Sequence, residues 1–178
     1  MGKVFDEIDD ALATFIRRQH VFFVGTAPTS PGGHVNVSPK GLDTFRILGP
    51  RVVAYLDLTG SGIETAAHLN DNSRVTVMFC AFDGPPKIVR LYGRGSVVQP
   101  GQGEFAPLMA QFPEYPGVRA IVRIDLDRIA DSCGFGVPRL QYQGDRNQMI
   151  DWAEHKGTQG LATYQKEHNR SIDGLTGL

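Results

Sequence analysis

The chain has 178 residues, 41% hydrophobic and 21% charged, which allows one domain with a real core and is short for two. Lys plus Arg number 18 against 19 Asp plus Glu, a net charge of −1, so the basic field that non-specific nucleic-acid binding requires is missing. No apolar run approaches the ~20 residues that span a bilayer, and the acidic stretch Met1 to Asp10 lacks the pattern of a signal peptide. The two cysteines, Cys80 and Cys133, form no C-x-x-C pair and read as reduced thiols. The expectation is a cytoplasmic protein with neither nucleic acid nor membrane as partner.

In chain order, the first element reads as an amphipathic helix, with Ile8, Leu12, Phe15 and Ile16 on one face. Acidic residues at its start and Arg17-Arg18 at its end suit the helix dipole. Strand-length apolar segments follow, divided by turn residues: 21–24, 34–38, 51–58, 75–82, 87–98 and 120–126. Val35 and Val37 alternate with Asn36 and Ser38, and Ile121 and Arg123 with Val122 and Ile124. Gly93 and Gly95 mark a bend or bulge. Helical insertions are expected near 64–70 and 104–111. In the tail, Asp145 is placed to cap a helix to Lys156 that Gly157 stops, and a further helix runs from Leu161 to His168. Six such strands with few helices between them predict a mainly β (α+β) fold, an antiparallel sheet closing into a barrel. The chain reads as a single domain over 1–178 with a helical extension from about 145.

Three segments carry candidate chemistry. His34 to Gly41 is an alternating strand that runs into Ser38-Pro39-Lys40-Gly41, bringing a hydroxyl, a cation and a free backbone to the strand end. That suits a phosphate or the polar edge of a ring system, and equally a turn with a solvated Lys. Tyr55 to Thr65 passes from a strand through a Gly/Ser/Thr loop into a helix, so free amides face whatever lies above the helix start. Ser61 and Glu64 also fit a capping box, in which those amides need no ligand. In Ile88 to Gly95, Arg90 and Arg94 share a strand face with Tyr92 between them, toward either a pocket or solvent. The five histidines show no H-x-x-x-H or H-E-x-x-H spacing, so no metal site is expected.

Taken together, H-V-N-V-S-P-K-G at 34–41, D-L-T-G-S-G-I-E-T at 57–65 and G-P-P-K-I-V-R-L-Y-G-R-G at 84–95 resemble the pyridoxamine 5'-phosphate oxidase-like split-barrel family, in an uncharacterised branch. The tail blocks 132–138 and 171–175 are similar to that branch too. The resemblance implies a six-stranded split barrel, a homodimer with two cofactor sites at its interface, and FMN as cofactor. The alternatives are a protein that binds flavin, deazaflavin or haem without catalysis, and a dimer whose ancestral site stands vacant. Lys40 falls where the oxidases end their flavin strand with Lys, and Asn36, Val37 and Ser38 would edge the ring. Tyr55 falls near the aromatic that opens the next flavin-contacting strand. Thr59, Ser61, Thr65 and Arg90 complete the implied cofactor-binding set, and no catalytic side chain is assigned.

The chain also departs from the oxidases. Glu64-Thr65 stand where they place an Arg-Lys pair on the FMN phosphate, and Ile88 stands where they have a Gln. No Arg-x-His substrate motif is found in the tail. These departures argue against vitamin B6 oxidation, and Glu64-Thr65 is the best support for a vacant site; the leading expectation is an FMN-dependent oxidoreductase of unknown substrate.

Overall fold

Antiparallel pairing organises the described residues, 2–178 of a computed structural model, into one eight-stranded sheet. Its strands are β1 (Val4–Phe5), β2 (Phe22–Thr26), β3 (Asn36–Lys40), β4 (Phe45–Gly49), β5 (Val52–Leu58), β6 (Arg74–Cys80), β7 (Ile88–Val98) and β8 (Val118–Ser132). The order is β3-β2-β6-β7-β8-β5-β4, with β1 on β8. The 15-residue β8 pairs with β7 along most of its length, with β5 through its first half and with β1 at Ile129 and Ala130. β3 and β4 are left as free edges. Across that opening Lys40 on β3 reaches Asp57 on β5 at 3.4 Å, so side chains close the barrel where no ladder does.

Alternation decides which residues fill the interior. Val53 and Tyr55 of β5 turn inward with Val24, Val77, Leu91 and Ile124, while Ala54, Leu56 and Leu58 pack on the opposite face with Ile121 and Phe112. Helix α1 (Asp10–Arg17) adds Leu12 and Ile16 to the interior. Its start is fixed by Asp9, whose carboxylate accepts from the Leu12 amide at 2.7 Å. Helices α2 (Glu64–Asn72) and α3 (Phe105–Met109) interrupt the strands where the sequence predicts them.

Several local expectations are corrected. Two strands have no counterpart in the sequence pattern: β1 has only two residues, and β4 shows no burial alternation because every one of its residues is half-buried. The Ser61/Glu64 capping box does not form, since α2 starts from Ile63 without a side-chain cap. Asp145 caps nothing either: α4 (Gln148–Glu167) begins three residues later, after Asn147. Gly157 does interrupt this helix, at φ 63° and ψ 172°, a conformation that other residues rarely adopt. The irregularity near Gly93 lies on the partner strand, where the register of β8 shifts opposite Tyr92/Gly93. Gly93 is required there because a Cβ would collide with the backbone oxygen of Asp125.

Candidate functional site

At the split of the barrel, strands β3 and β5 bring charged and polar side chains into a largely buried cluster. Asp57 is 2% exposed and accepts from Arg119 Nε at 2.6 Å, with Lys40 Nζ at 3.4 Å on the other side. Arg119 is itself buried and donates a further bond to the Gly62 carbonyl at 2.8 Å. Two cations thus share one carboxylate, and the cluster carries one surplus positive charge. Burial alone raises the Asp57 pKa, but the adjacent Lys40 and Arg119 charges and their hydrogen bonds outweigh it and hold the carboxyl below its ordinary range.

A neutral network adjoins this cluster. Asn36 Nδ2 donates to Thr26 Oγ1 at 3.2 Å and to Thr65 Oγ1 at 3.1 Å, and its Oδ1 accepts from Ser38 Oγ at 2.9 Å. Thr26 also bonds His68 Nδ1 at 3.0 Å, leaving the buried His68 Nε2 without a protein partner. The Tyr55 hydroxyl is likewise buried and unpartnered, although Thr65 is close enough to act on it. Burial and the Asp57 charge push the Tyr55 pKa well above its ordinary value, so the phenol stays protonated. Orphaned buried groups of this kind are rare in folded proteins and mark places where a water or ligand belongs.

The residues expected from sequence are distributed as follows. Asn36, Ser38, Thr65, Tyr55 and Lys40 converge at the split. Val37 faces the other way and is 65% exposed, while Tyr55 is completely enclosed and can support the site without forming its surface. Thr59 donates to the Gly117 carbonyl at 2.7 Å and accepts from Gln165 of α4 at 2.8 Å, which fixes the loop base. Ser61 is exposed at the loop crest, and the Gly60, Ser61 and Gly62 amides donate to no backbone acceptor among the described residues. Arg90 stands apart on the outer face of β7, where it donates to Ser132 at 3.0 Å.

Glu64 turns away from its own helix cap. Its Oε1 accepts from the Ile172 amide at 3.3 Å, so the carboxylate fastens the chain end to the loop. The neighbouring Asp173 accepts from the His34 amide at 2.8 Å and pairs with His34 Nδ1 at 2.7 Å. Lys40 is among the residues that line a cleft of about 910 Å3, within the range of small-molecule sites. Phe23, Pro39, Leu56 and Leu58 supply apolar wall, and His20, stacked on Tyr142 at 3.6 Å, lies toward the tail.

Sequence reasoning misses Arg119 for a physical reason. Strict alternation aligns it with Ile121 and Arg123, on the face away from Asp57. The register shift between Asp57 and Leu58, which pair with Ala120 and Val118, leaves Arg119 without a partner and lets its side chain reach Asp57. The only hint in the sequence is an arginine one position before an apolar strand.

The curled antiparallel sheet with a side-chain-closed opening and peripheral helices defines a split-barrel protein of the α+β class. The pyridoxamine 5'-phosphate oxidase family model matches residues 8–133, and the chain belongs to that family. A curated relative, the pyridoxamine 5'-phosphate oxidase family protein ustO of Aspergillus flavus, is 41% identical over 192 residues, covering 98% of this chain and 77% of the relative. Among solved structures, a variant of HupZ from Group A Streptococcus superposes with a TM-score of 0.55 at 19% identity, covering 70% of this chain and 99% of that one. A FAD-binding protein of Mesorhizobium loti gives a TM-score of 0.51 at 12% identity, covering 74% and 96%. At such identities the two structures speak for the shared fold. No helix among the described residues is long and apolar enough to cross a membrane, and no cluster of metal-ligating side chains occurs among them.

Proposed function

We propose that this protein is a flavin-dependent oxidoreductase that holds FMN at the split of the barrel. The observation that carries the reading is the surplus positive charge of the Lys40–Asp57–Arg119 cluster at the split of the barrel, of which Lys40 is also among the residues around an apolar-walled cleft. A buried, incompletely neutralised cation is costly, and an anionic ligand offsets that cost. Lys40 and the unbonded amides of the 60–62 loop would hold the phosphate. As an edge strand, β3 has one side free of ladder hydrogen bonds, and its backbone groups would meet the polar edge of the ring. FMN, when bound, supplies hydride and electron transfer, while the chain supplies binding and orientation. Family membership supports the reading, and the M. loti neighbour is named for binding a related flavin.

The functional unit is a homodimer in the cytoplasm. Val35 and Val37, 72% and 65% exposed beside the site, are apolar surface that a second copy would cover. Size-exclusion chromatography with light scattering tests this, and a monomer at micromolar concentration refutes it.

The visible spectrum of the purified, untagged protein tests the cofactor. The expected result is a flavin band that dithionite or a reduced nicotinamide bleaches. A Soret band would instead establish haem, and a featureless spectrum that gains nothing from added FMN would sink the flavin reading.

A further inference from the structure

The cleft beside the barrel has two walls of different origin. One belongs to the sheet, where Phe23 of β2 and Leu56 and Leu58 of β5 line it together with Phe82, just past β6. The other is the stretch 140–149, which forms neither helix nor strand until α4 begins at Gln148. Between Leu140 and Asn147 only the Leu140 amide donates to a backbone acceptor among the described residues, the Phe82 carbonyl at 2.9 Å. On this wall Leu140, Tyr142 and Met149 are 57%, 47% and 43% exposed, and all three line the cleft. Large apolar side chains left open on one stretch, across from a second apolar wall, are a surface for an apolar ligand to cover.

Four rings contribute to the lining: His20, Phe23, Phe82 and Tyr142. His20 and Tyr142 stack within 2° of parallel, their centroids 3.6 Å apart, and form a flat platform. The charged groups around the cleft balance. Lys40 is paired with Asp57, and the lining residues Arg18 and Arg146 are matched in number by Asp83 and Asp145. Of the charged cluster at the split only Lys40 also lines the cleft, and no residue of the 59–65 loop does.

We propose that this cleft binds an uncharged aromatic compound, held between the sheet wall and the 140–149 stretch with its ring on the His20–Tyr142 pair. The site is distinct from the one assigned to the flavin, and the inference does not rest on that reading. Covering Leu140, Tyr142 and Met149 supplies the hydrophobic gain, and ring stacking adds to it. A charged ligand would shed its hydration without finding an unmatched counter-charge.

Calorimetric titration of the full-length protein with 2-naphthol and 2-naphthoate tests the proposal. 2-Naphthol should bind one to one and about tenfold more tightly than 2-naphthoate. Tyr142→Ala should weaken 2-naphthol about fivefold, and adding Met149→Ala should weaken it further; both residues are exposed, so the fold should survive. Ile172→Ser, exposed but outside the cleft lining, should bind as the natural protein does. Trypsin cleavage after the exposed Arg139 and Arg146 should slow when 2-naphthol is saturating. Absence of binding, equal or tighter binding of 2-naphthoate, unchanged affinity in the double variant, or an unchanged cleavage rate would each overturn the inference. So would a dimeric natural protein that ignores 2-naphthol and becomes monomeric in the double variant, since a second copy would then cover this wall. Displacement of 2-naphthol by FMN would overturn it too, while upholding the flavin reading with the ring in the cleft. A protein that takes 2-naphthol and no flavin would uphold the inference and refute that reading.

Discussion

Replacing Asp57 by Asn probes the cluster that organises the site. The change keeps the shape of the side chain and removes its charge, leaving Lys40 and Arg119 as two neighbouring cations without a counter-charge. Asp57 and Arg119 are 2% and 7% exposed as side chains and Lys40 is 23% exposed, so water relieves only one member of the trio. Breaking a buried pair costs about 3–5 kcal/mol, and the partial exposure of Lys40 places the expected loss near the lower end, about 3 kcal/mol. For a domain of this size that corresponds to a fall in Tm of roughly 6–12 °C. Urea unfolding followed by the fluorescence of Trp152, the single tryptophan, measures it at fixed protein concentration. The natural carboxyl titrates below its ordinary value, so its contribution is present above an unfolded pKa of about 3.9 and is lost as pH falls through the lower folded value. Asp57→Asn should therefore destabilise the protein fully at pH 7, and by progressively less as the pH falls from the unfolded pKa toward the lower folded one. A loss below about 1 kcal/mol at pH 7 would place the trio among solvated surface pairs and remove the argument for a surplus buried charge. Inorganic phosphate should raise the Tm of the variant more than that of the natural protein, because two unpaired cations await an anion.

Lys40→Ala should weaken FMN binding by about 1.5–3 kcal/mol, roughly tenfold to a hundredfold, as the loss of a charge-assisted bond; unchanged affinity by fluorescence titration would put the phosphate elsewhere. Gly93→Ala forces a methyl group against the Asp125 backbone oxygen and should cost about 1–3 kcal/mol in urea unfolding, whereas full stability would show that β8 yields at its bulge. Hydrogen bonds from the His34 side chain and backbone hold the Asp173 carboxyl below its ordinary value, so the His34–Asp173 contact persists above the usual carboxylate range and is lost as pH falls through the lowered pKa. The protection factors of the 170–178 amides, corrected for the slowing of intrinsic exchange with falling pH, should accordingly fall at acid pH, and in His34→Ala at neutral pH too; equal protection in that variant at neutral pH would show that other contacts hold this segment.

Much of this molecule follows from local pattern. Period-two alternation and turn residues mark six of the strands, because a strand with one face on a core must alternate. The same logic places Asn36 and Ser38 together, opposite Val37. The α1 cap at Asp9 and the break at Gly157 are also local, since they depend on side-chain reach and backbone freedom within a few residues. What tertiary structure alone decided are the partners. Glu64 and Ser61 have the spacing of a capping box, yet Glu64 is drawn to the Ile172 amide from a segment more than a hundred residues away. Arg119 reads as an outward residue until the register shift between β5 and β8 lets it reach Asp57. Arg90 has the right charge and period for the site, but β2 and β6 separate its strand from β3 in the sheet and its guanidinium goes to Ser132. Periodicity fixes the face a residue presents relative to its neighbours in the chain. Which charge it meets across the barrel is set by strand order and bulges, and these are long-range consequences of packing the whole sheet.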